Sequence, residues 1–334
     1  MTMEEQRDAE ILGLFKAGDQ RGLARAISRA ESGRGEALIH ALFARSGRAQ
    51  TVGLTGPPGV GKSTLTSRLV SIARAEGRKV GVVSVDPSSP FSHGAILGDR
   101  IRLNDHFTDA DVFIRSMASR GHLGGLAGAT GDAVTLMDAF GLNAIFVETV
   151  GVGQSEIEIA ELADTTVVVL QPGSGDSVQL LKAGILEIAD IFVVNKADHP
   201  MALQLRREIR SMMEMLDFTG WVPRLVATRA HDGEGVNELW RALAEHGDYL
   251  RSSGELVHRR HAAFAHRVRA LVMGEIERRV EPRIDATVAA GAGGQTDPYR
   301  VAASLLEPLS PVLPPAAEGE AEWPRAGRAT VKGL

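Results

Sequence analysis

The chain contains no cysteine. Disulfides, thiolate zinc sites and cysteine nucleophiles are excluded together. Aromatic residues reach only 4% while hydrophobic residues make up 44%, so the core of these 334 residues must be largely aliphatic. No apolar run approaches the roughly 18–20 residues that a bilayer-spanning helix needs. The opening MTMEEQRDAE is acidic and has neither the basic-then-apolar layout of a secretory signal nor the Arg-rich character of a transit peptide, so a cytoplasmic location is expected. Excess positive charge is also missing. With a net charge of −5, neither nucleic acid nor a membrane surface is an expected partner. Glycine, by contrast, is abundant at 37 residues, which points to backbone roles.

Residues 1–48 carry apolar side chains at spacings of three and four, broken at Gly18-Asp19 and Ser32-Gly33, and read as two or three helices forming an N-terminal extension. From Gln50 the pattern changes. Short runs rich in Val, Ile and Leu alternate with longer amphipathic stretches: TVGLTG (51–56), KVGVVSVD (79–86), DVFIRSM (111–117), NAIFVETV (143–150), TTVVVLQP (165–172), IFVVNKAD (191–198) and RLVATRA (224–230). Near-continuous apolar strands are covered on both faces. The expectation over 49–250 is therefore an α/β fold, a doubly wound and mostly parallel sheet flanked by helices. Residues 251–308 read as a helical region. A long helix over 255–282 carries an apolar stripe (Val257, Phe264, Val268, Leu271, Val272, Ile276) and a basic face (Arg259, Arg260, Arg267, Arg269, Arg278, Arg279). That basic face reads as solvated or as a subunit contact. A short helix is expected near 297–308, and residues 309–334, rich in Pro, Ala, Gly and Glu, read as a flexible tail or arm.

Three constellations carry chemistry. The first is Gly56-Pro57-Pro58-Gly59-Val60-Gly61-Lys62-Ser63-Thr64, which fits G-x-x-x-x-G-K-[ST] between a strand and a helix. Its glycines let backbone N–H groups cradle phosphates, Lys62 has the reach for β- and γ-phosphates, and Ser63 offers a hydroxyl to Mg²⁺. The second is Asn195-Lys196-Ala197-Asp198 after an apolar strand. The Asp198 carboxylate can accept from N1–H and the 2-amino group of guanine, donors that adenine lacks. Asn195 can read the other edge of the base, and the Lys196 stem can cover its face. GTP and GDP are therefore the expected nucleotides. The third is a set of acids: Asp86 and Glu148 at strand ends, and Asp99 in ILGDR. Carboxyl ends of parallel strands face the ligand crevice. Mg²⁺ favours few carboxylates plus water and phosphate oxygens, so these acids suit the ion or its waters, with helix capping by Asp86 as the plain alternative. Gly151-Val152-Gly153-Gln154 has the backbone freedom of a switch loop. Gln154 has the chemistry to orient an attacking water, and loop structure alone explains it equally well. A second Gly/Asp loop, with Gly173, Asp176, Gln179 and Lys182, follows the fifth strand.

GPPGVGKST, VDPSS, ILGDR, Gly121-His-Leu-Gly-Gly125, ETVGVGQSE and NKAD stand in an order and spacing that resembles the MeaB/ArgK/MMAA family of SIMIBI-class P-loop GTPases, from about residue 10 to about 280. The resemblance implies a GTP-dependent chaperone that gates cofactor loading and protects an adenosylcobalamin-dependent acyl-CoA mutase. It also implies a homodimer with a C-terminal dimerisation arm. On it, Asp86, Asp99 and Glu148 surround Mg²⁺ and the switch region, Lys62, Glu148 and Gln154 serve hydrolysis, and the 173–182 loop is an extra switch through which the mutase signals. Two positions depart from the family pattern. Ser177-Val178 stand where an acidic residue and Leu are usual, which leaves methylmalonyl-, isobutyryl-, 2-hydroxyisobutyryl- and ethylmalonyl-CoA mutases open as clients. The base-backing motif reads Thr228-Arg229-Ala230 instead of ending in Ser-Ala, with the Ala230 N–H in reach of guanine O6 and Arg229 unexplained. Competing readings are a metal-insertion GTPase, for which only the loose group His258, His261 and His266 speaks, and a GTP-gated scaffold without significant turnover.

Overall fold

The computed structural model describes residues 2–87, 103, 105–119, 127–149, 155–175, 185–291, 297–306 and 330–331. Seven strands form one all-parallel sheet in the order β3-β2-β4-β1-β5-β6-β8: β1 (Gln50–Thr55), β2 (Val80–Pro87), β3 (Val112–Ser119), β4 (Ala144–Thr149), β5 (Thr165–Leu170), β6 (Ile191–Asn195) and β8 (Arg224–Thr228). Among the described residues a further strand pair is antiparallel, between β7 (Leu216–Asp217) and β9 (Thr330–Val331). All seven apolar runs of the sequence are sheet strands. Strands β4, β5 and β6 are buried at every residue, as a sheet covered on both faces requires.

Helices cover the two faces. On one lie α4 (Lys62–Ala75) and α8 (Val236–Ser253), whose Leu65, Leu69, Val70, Leu239 and Leu243 meet Leu54, Val82, Phe146, Val167 and Val193. On the other lie α5 (Ala127–Phe140), α6 (Ser155–Leu162) and α7 (Ala202–Glu214). The N-terminal extension is three helices, α1 (Met3–Lys16), α2 (Gln20–Glu31) and α3 (Glu36–Leu42). Thr2 and Glu5 close a capping box on α1, and Asp19 caps α2. These helices belong to the same core as α5: Ile11, Phe15, Leu23 and Ile27 are buried with Leu136, Met137 and Ile145, and Phe15 meets Phe140 edge-on at 5.1 Å.

The C-terminal region departs from expectation in two ways. The long helix α9 (Glu255–Gly291) runs past Pro282 and outlasts its expected end. The short helix α10 (Pro298–Leu306) packs against it. More importantly, the basic face of α9 is solvated only in part: Arg269 and Arg278 are exposed, and so is much of Arg279. Three arginines of the basic face are docked within the chain. Arg259 forks onto Asp190 with two contacts of 2.8 Å, Arg260 forks onto Asp164 at 2.8–2.9 Å, and Arg267 pairs with Asp132. Asp164 and Asp190 are buried at the amino ends of β5 and β6, where each also accepts a strand N–H, from Thr51 and Thr166 respectively. A buried carboxylate demands a partner, and the arginines of α9 supply it. Burial works against the Arg259 charge, but the Asp190 hydrogen bonds more than offset it and hold its pKa above the ordinary arginine value. The apolar stripe is turned outward instead, with Val257, Phe264, Val268, Leu271 and Val272 42–68% exposed and Ile276 half-buried.

Candidate functional site

The carboxyl ends of β4, β1, β5, β6 and β8 lie side by side, and the first two sequence motifs and Glu148 meet there. The phosphate-loop segment leaves β1 at Thr55 and enters α4 at Lys62. Gly56, Gly59 and Gly61 all have positive φ. At Gly56 a Cβ would lie 2.0 Å from the Val169 carbonyl oxygen, and at Gly61 2.4 Å from Asn195 Nδ2, so only glycine fits these two turns. Gly61 is the N-cap of α4 and supplies no side-chain cap. The first-turn N–H groups, with the positive end of the helix dipole, therefore form an anion site. Lys62 is buried and its Nζ donates to the carbonyls of Gly56 at 2.6 Å and Pro57 at 3.0 Å, which keeps the ammonium over the loop. Ser63 is buried beside it; Pro58 and Gly59 form the exposed tip, and Val60 is anchored in the core.

Asn195 ends β6 and ties three segments together. Its Nδ2 donates to the Val60 carbonyl at 2.7 Å, and its Oδ1 accepts from Thr228 Oγ1 and from the Ala230 N–H, both at 3.0 Å. The Ala230 N–H, expected from sequence to face the base, is directed to Asn195 in this structure. Lys196 has a positive φ of 57°, and its Nζ reaches Gly59 O at 3.0 Å and Gln171 Oε1 at 2.5 Å. Its stem thereby spans the phosphate loop and the segment after β5. Asp198 is exposed, and among the described residues no hydrogen bond or ion pair engages its carboxylate. Arg229 finds its explanation in the turn that follows: it pairs with Asp232 at 3.2 Å and with Glu234, and its backbone bridges to Glu234. Sequence reasoning missed Arg68. From α4 it donates to the carbonyls of Ala230 at 3.2 Å and His231 at 2.5 Å, pinning the loop after β8.

Glu148, near the end of β4, is 3% exposed. Its Oε2 accepts from Thr66 Oγ1 and its Oε1 from Ser84 Oγ, both at 2.9 Å. Sequence reasoning missed Thr66 and Ser84 as well. Asp86 lies two residues beyond Ser84 on β2, paired in register with Ala118; its side chain, Asp99, Gly151, Val152, Gly153, Gln154, Asp176, Gln179 and Lys182 lie outside the described residues. Gly173, at φ 73°, sits against His199, whose Cε1 would lie 3.3 Å from an added Cβ. The chemistry of this donor set fits both expected ligands. The glycine cradle and uncapped helix suit phosphates, and hydroxyl and carboxylate oxygens suit Mg²⁺. The histidines of α9 are not gathered. His266 pairs with Glu161 at 3.1 Å, and among the described residues no three His, Asp or Glu side chains are grouped to hold an ion. No described helix is long and apolar enough to cross a membrane.

Comparison with known proteins agrees with this geometry. The family described as "Methylmalonyl Co-A mutase-associated GTPase MeaB" matches residues 23–285. A Pyrococcus horikoshii protein is 44% identical over 90% of this chain and 98% of its own length. GTPase ArgK of Escherichia coli is 37% identical over 74% of this chain and 78% of its own. The mouse protein named methylmalonic aciduria type A homolog, mitochondrial, is 38% identical over 63% of this chain and 52% of its own. A solved structure described as LAO/AO transport system kinase superposes with a TM-score of 0.68 and 26% identity, covering 93% of this chain and 100% of that one. With its seven-stranded parallel sheet and its G-x-x-x-x-G-K-S loop between β1 and α4, the chain belongs to the MeaB family of methylmalonyl-CoA mutase-associated P-loop GTPases.

Proposed function

We propose that this protein is a GTP-hydrolysing chaperone of an adenosylcobalamin-dependent acyl-CoA mutase, gating cofactor loading and protecting the mutase from inactivation. The observation that carries the reading is the placement of the Gly56–Thr64 cradle, Glu148 and the Asn195–Asp198 loop on neighbouring strand ends, in a chain of this family. In this reading Gly56–Thr64 bind the phosphates, Ser63, Asp86, Asp99 and Glu148 hold Mg²⁺ or its waters, and Asp198 reads guanine. Bound Mg²⁺ supplies charge neutralisation at the transferring phosphoryl group, to which Lys62 and the loop amides add. Turnover is slow in isolation, because no residue of the motifs is an obvious strong base, and it rises when the client acts on the switch segments at 151–154 and 173–182. The exposed apolar stripe of α9 supports a homodimer through the C-terminal region, since a contiguous apolar surface of this kind marks an association site.

GTP turnover by the purified protein, alone and with each candidate mutase, tests the reading. Stimulation by one of the methylmalonyl-, isobutyryl-, 2-hydroxyisobutyryl- or ethylmalonyl-CoA enzymes identifies the client. Fast multiple turnover by the protein alone, or indifference to every mutase, overturns it.

A further inference from the structure

Polar side chains inside an aliphatic layer need a reason, because burying a hydroxyl costs free energy unless it is used. Thr66 and Ser84 are 0% and 2% exposed. Ser84 stands in register with Glu148 on β4, which stands in register with Leu54 on β1. Side chains alternate along a strand. Ser84 therefore shares a face with Val80 and Val82, Glu148 with Ala144 and Phe146, and all of these belong to the core beneath α4. At the crevice end of that core three polar side chains replace the aliphatic ones. Thr66, one helical turn beyond Ser63 on α4, completes the set.

The two hydroxyls are spent on one carboxylate, one on each oxygen, from two different elements. A carboxylate held at both oxygens cannot rotate about its terminal bond without losing a buried hydrogen bond. Both hydroxyls lie outside the phosphate loop at 56–64 and the base loop at 195–198.

We infer that Thr66 and Ser84 are positioning residues for Glu148, and that their paired hydroxyls set how tightly this protein binds Mg²⁺ together with its nucleotide. The inference rests on the reading of Glu148 as a residue that holds Mg²⁺ or its waters. Groups that orient such ligands typically contribute about 10–100-fold in metal affinity. Thr66→Val keeps the shape and removes the donor; Ser84→Ala removes the other.

The test is GDP affinity, read with a fluorescent GDP analogue, across a Mg²⁺ titration and in EDTA. In the Thr66→Val/Ser84→Ala double variant, half-saturating Mg²⁺ rises by about 10-fold or more, while affinity in EDTA stays at the wild-type value. Thr66→Ser beside native Ser84, which keeps both hydroxyls, retains the wild-type Mg²⁺ response. An unchanged Mg²⁺ response overturns the inference. So does a loss of affinity of equal size in EDTA, which assigns the hydroxyls to packing. A wild-type protein whose GDP affinity ignores Mg²⁺ defeats the metal-site reading itself, an outcome distinct from the other two.

Discussion

Asp198 and Asn195 belong to one sequence motif yet do different physical work. Asp198 is exposed and among the described residues engages no other side chain, so its carboxylate is available to a ligand and little of the fold depends on it. Asp198→Ala is expected to leave unfolding within about 0.5 kcal/mol of wild type while lowering GDP affinity by roughly 100-fold or more, since two charge-assisted hydrogen bonds are lost. Calorimetry and nucleotide titration on the same sample check both halves. Asn195→Ala strikes the fold as well, because it strands the buried Val60 carbonyl, the Thr228 hydroxyl and the Ala230 N–H. A destabilisation of about 3 kcal/mol is expected in urea unfolding, along with weakened nucleotide binding. The phosphate loop and the NKAD loop were legible in the sequence because their partners lie within a few consecutive residues. Thr66 and Ser84 were not: they meet Glu148 from 82 and 64 residues away, a proximity that only the strand order creates. Arg229 was opaque for the same reason on a smaller scale, since its partners come from the turn it closes.

At the scale of the element, α9 shows what periodicity does and does not determine. The spacing identified a long helix with an apolar face and a basic face. It could not decide which face turns inward, because that depends on two aspartates at the amino ends of β5 and β6. Neither Asp164 nor Asp190 stands in a motif, and both are unremarkable as sequence. Once buried they require cations, and Arg260 and Arg259 are the ones that arrive. Breaking one such pair leaves a buried charge. Arg260→Ala is therefore expected to lower stability by about 3 kcal/mol, with hydrogen exchange rising first along α9 and at the Gly47 and Ala49 segment that Arg260 also holds. Changing the opposite face should spare the monomer. Leu271→Glu with Val272→Glu is expected to convert a dimer into a monomer in sedimentation equilibrium with unchanged nucleotide affinity. A wild-type protein that is already monomeric rejects the dimer.

For the whole molecule, the sheet has two working ends. Its carboxyl end gathers the nucleotide site, and its amino end gathers the buried charges that dock the C-terminal helix. His246 lies in the second group and makes the stability of the whole chain depend on pH. It is fully buried on α8, its Nδ1 2.9 Å from Thr165 Oγ1 and its Nε2 3.3 Å from Asp190 Oδ1, with the Trp221 ring centred 4.7 Å away. The charged groups around it are Asp190, Arg259 and Asp164. Burial dominates and pushes its pKa down from 6.5 to about 4, the attraction of Asp190 notwithstanding. The folded protein thus holds His246 neutral where the unfolded chain binds a proton. Stability is unaffected by this group above pH 6.5 and falls as the pH drops from 6.5 towards 4. The loss totals roughly 3 kcal/mol by the lower end and then levels off. Because carboxylates also titrate in that range, the measurement is a comparison: urea unfolding of wild type and His246→Asn at intervals from pH 7 to pH 4.5. Over the span from pH 6 to pH 4.5 the wild type should lose up to about 1.4 kcal/mol per pH unit more than the variant, one proton's worth of slope. Parallel curves would mean that His246 is protonated in the folded state as readily as in the unfolded one, and would overturn the reading that burial beside Trp221 and the Arg259–Asp190 pair keeps it neutral.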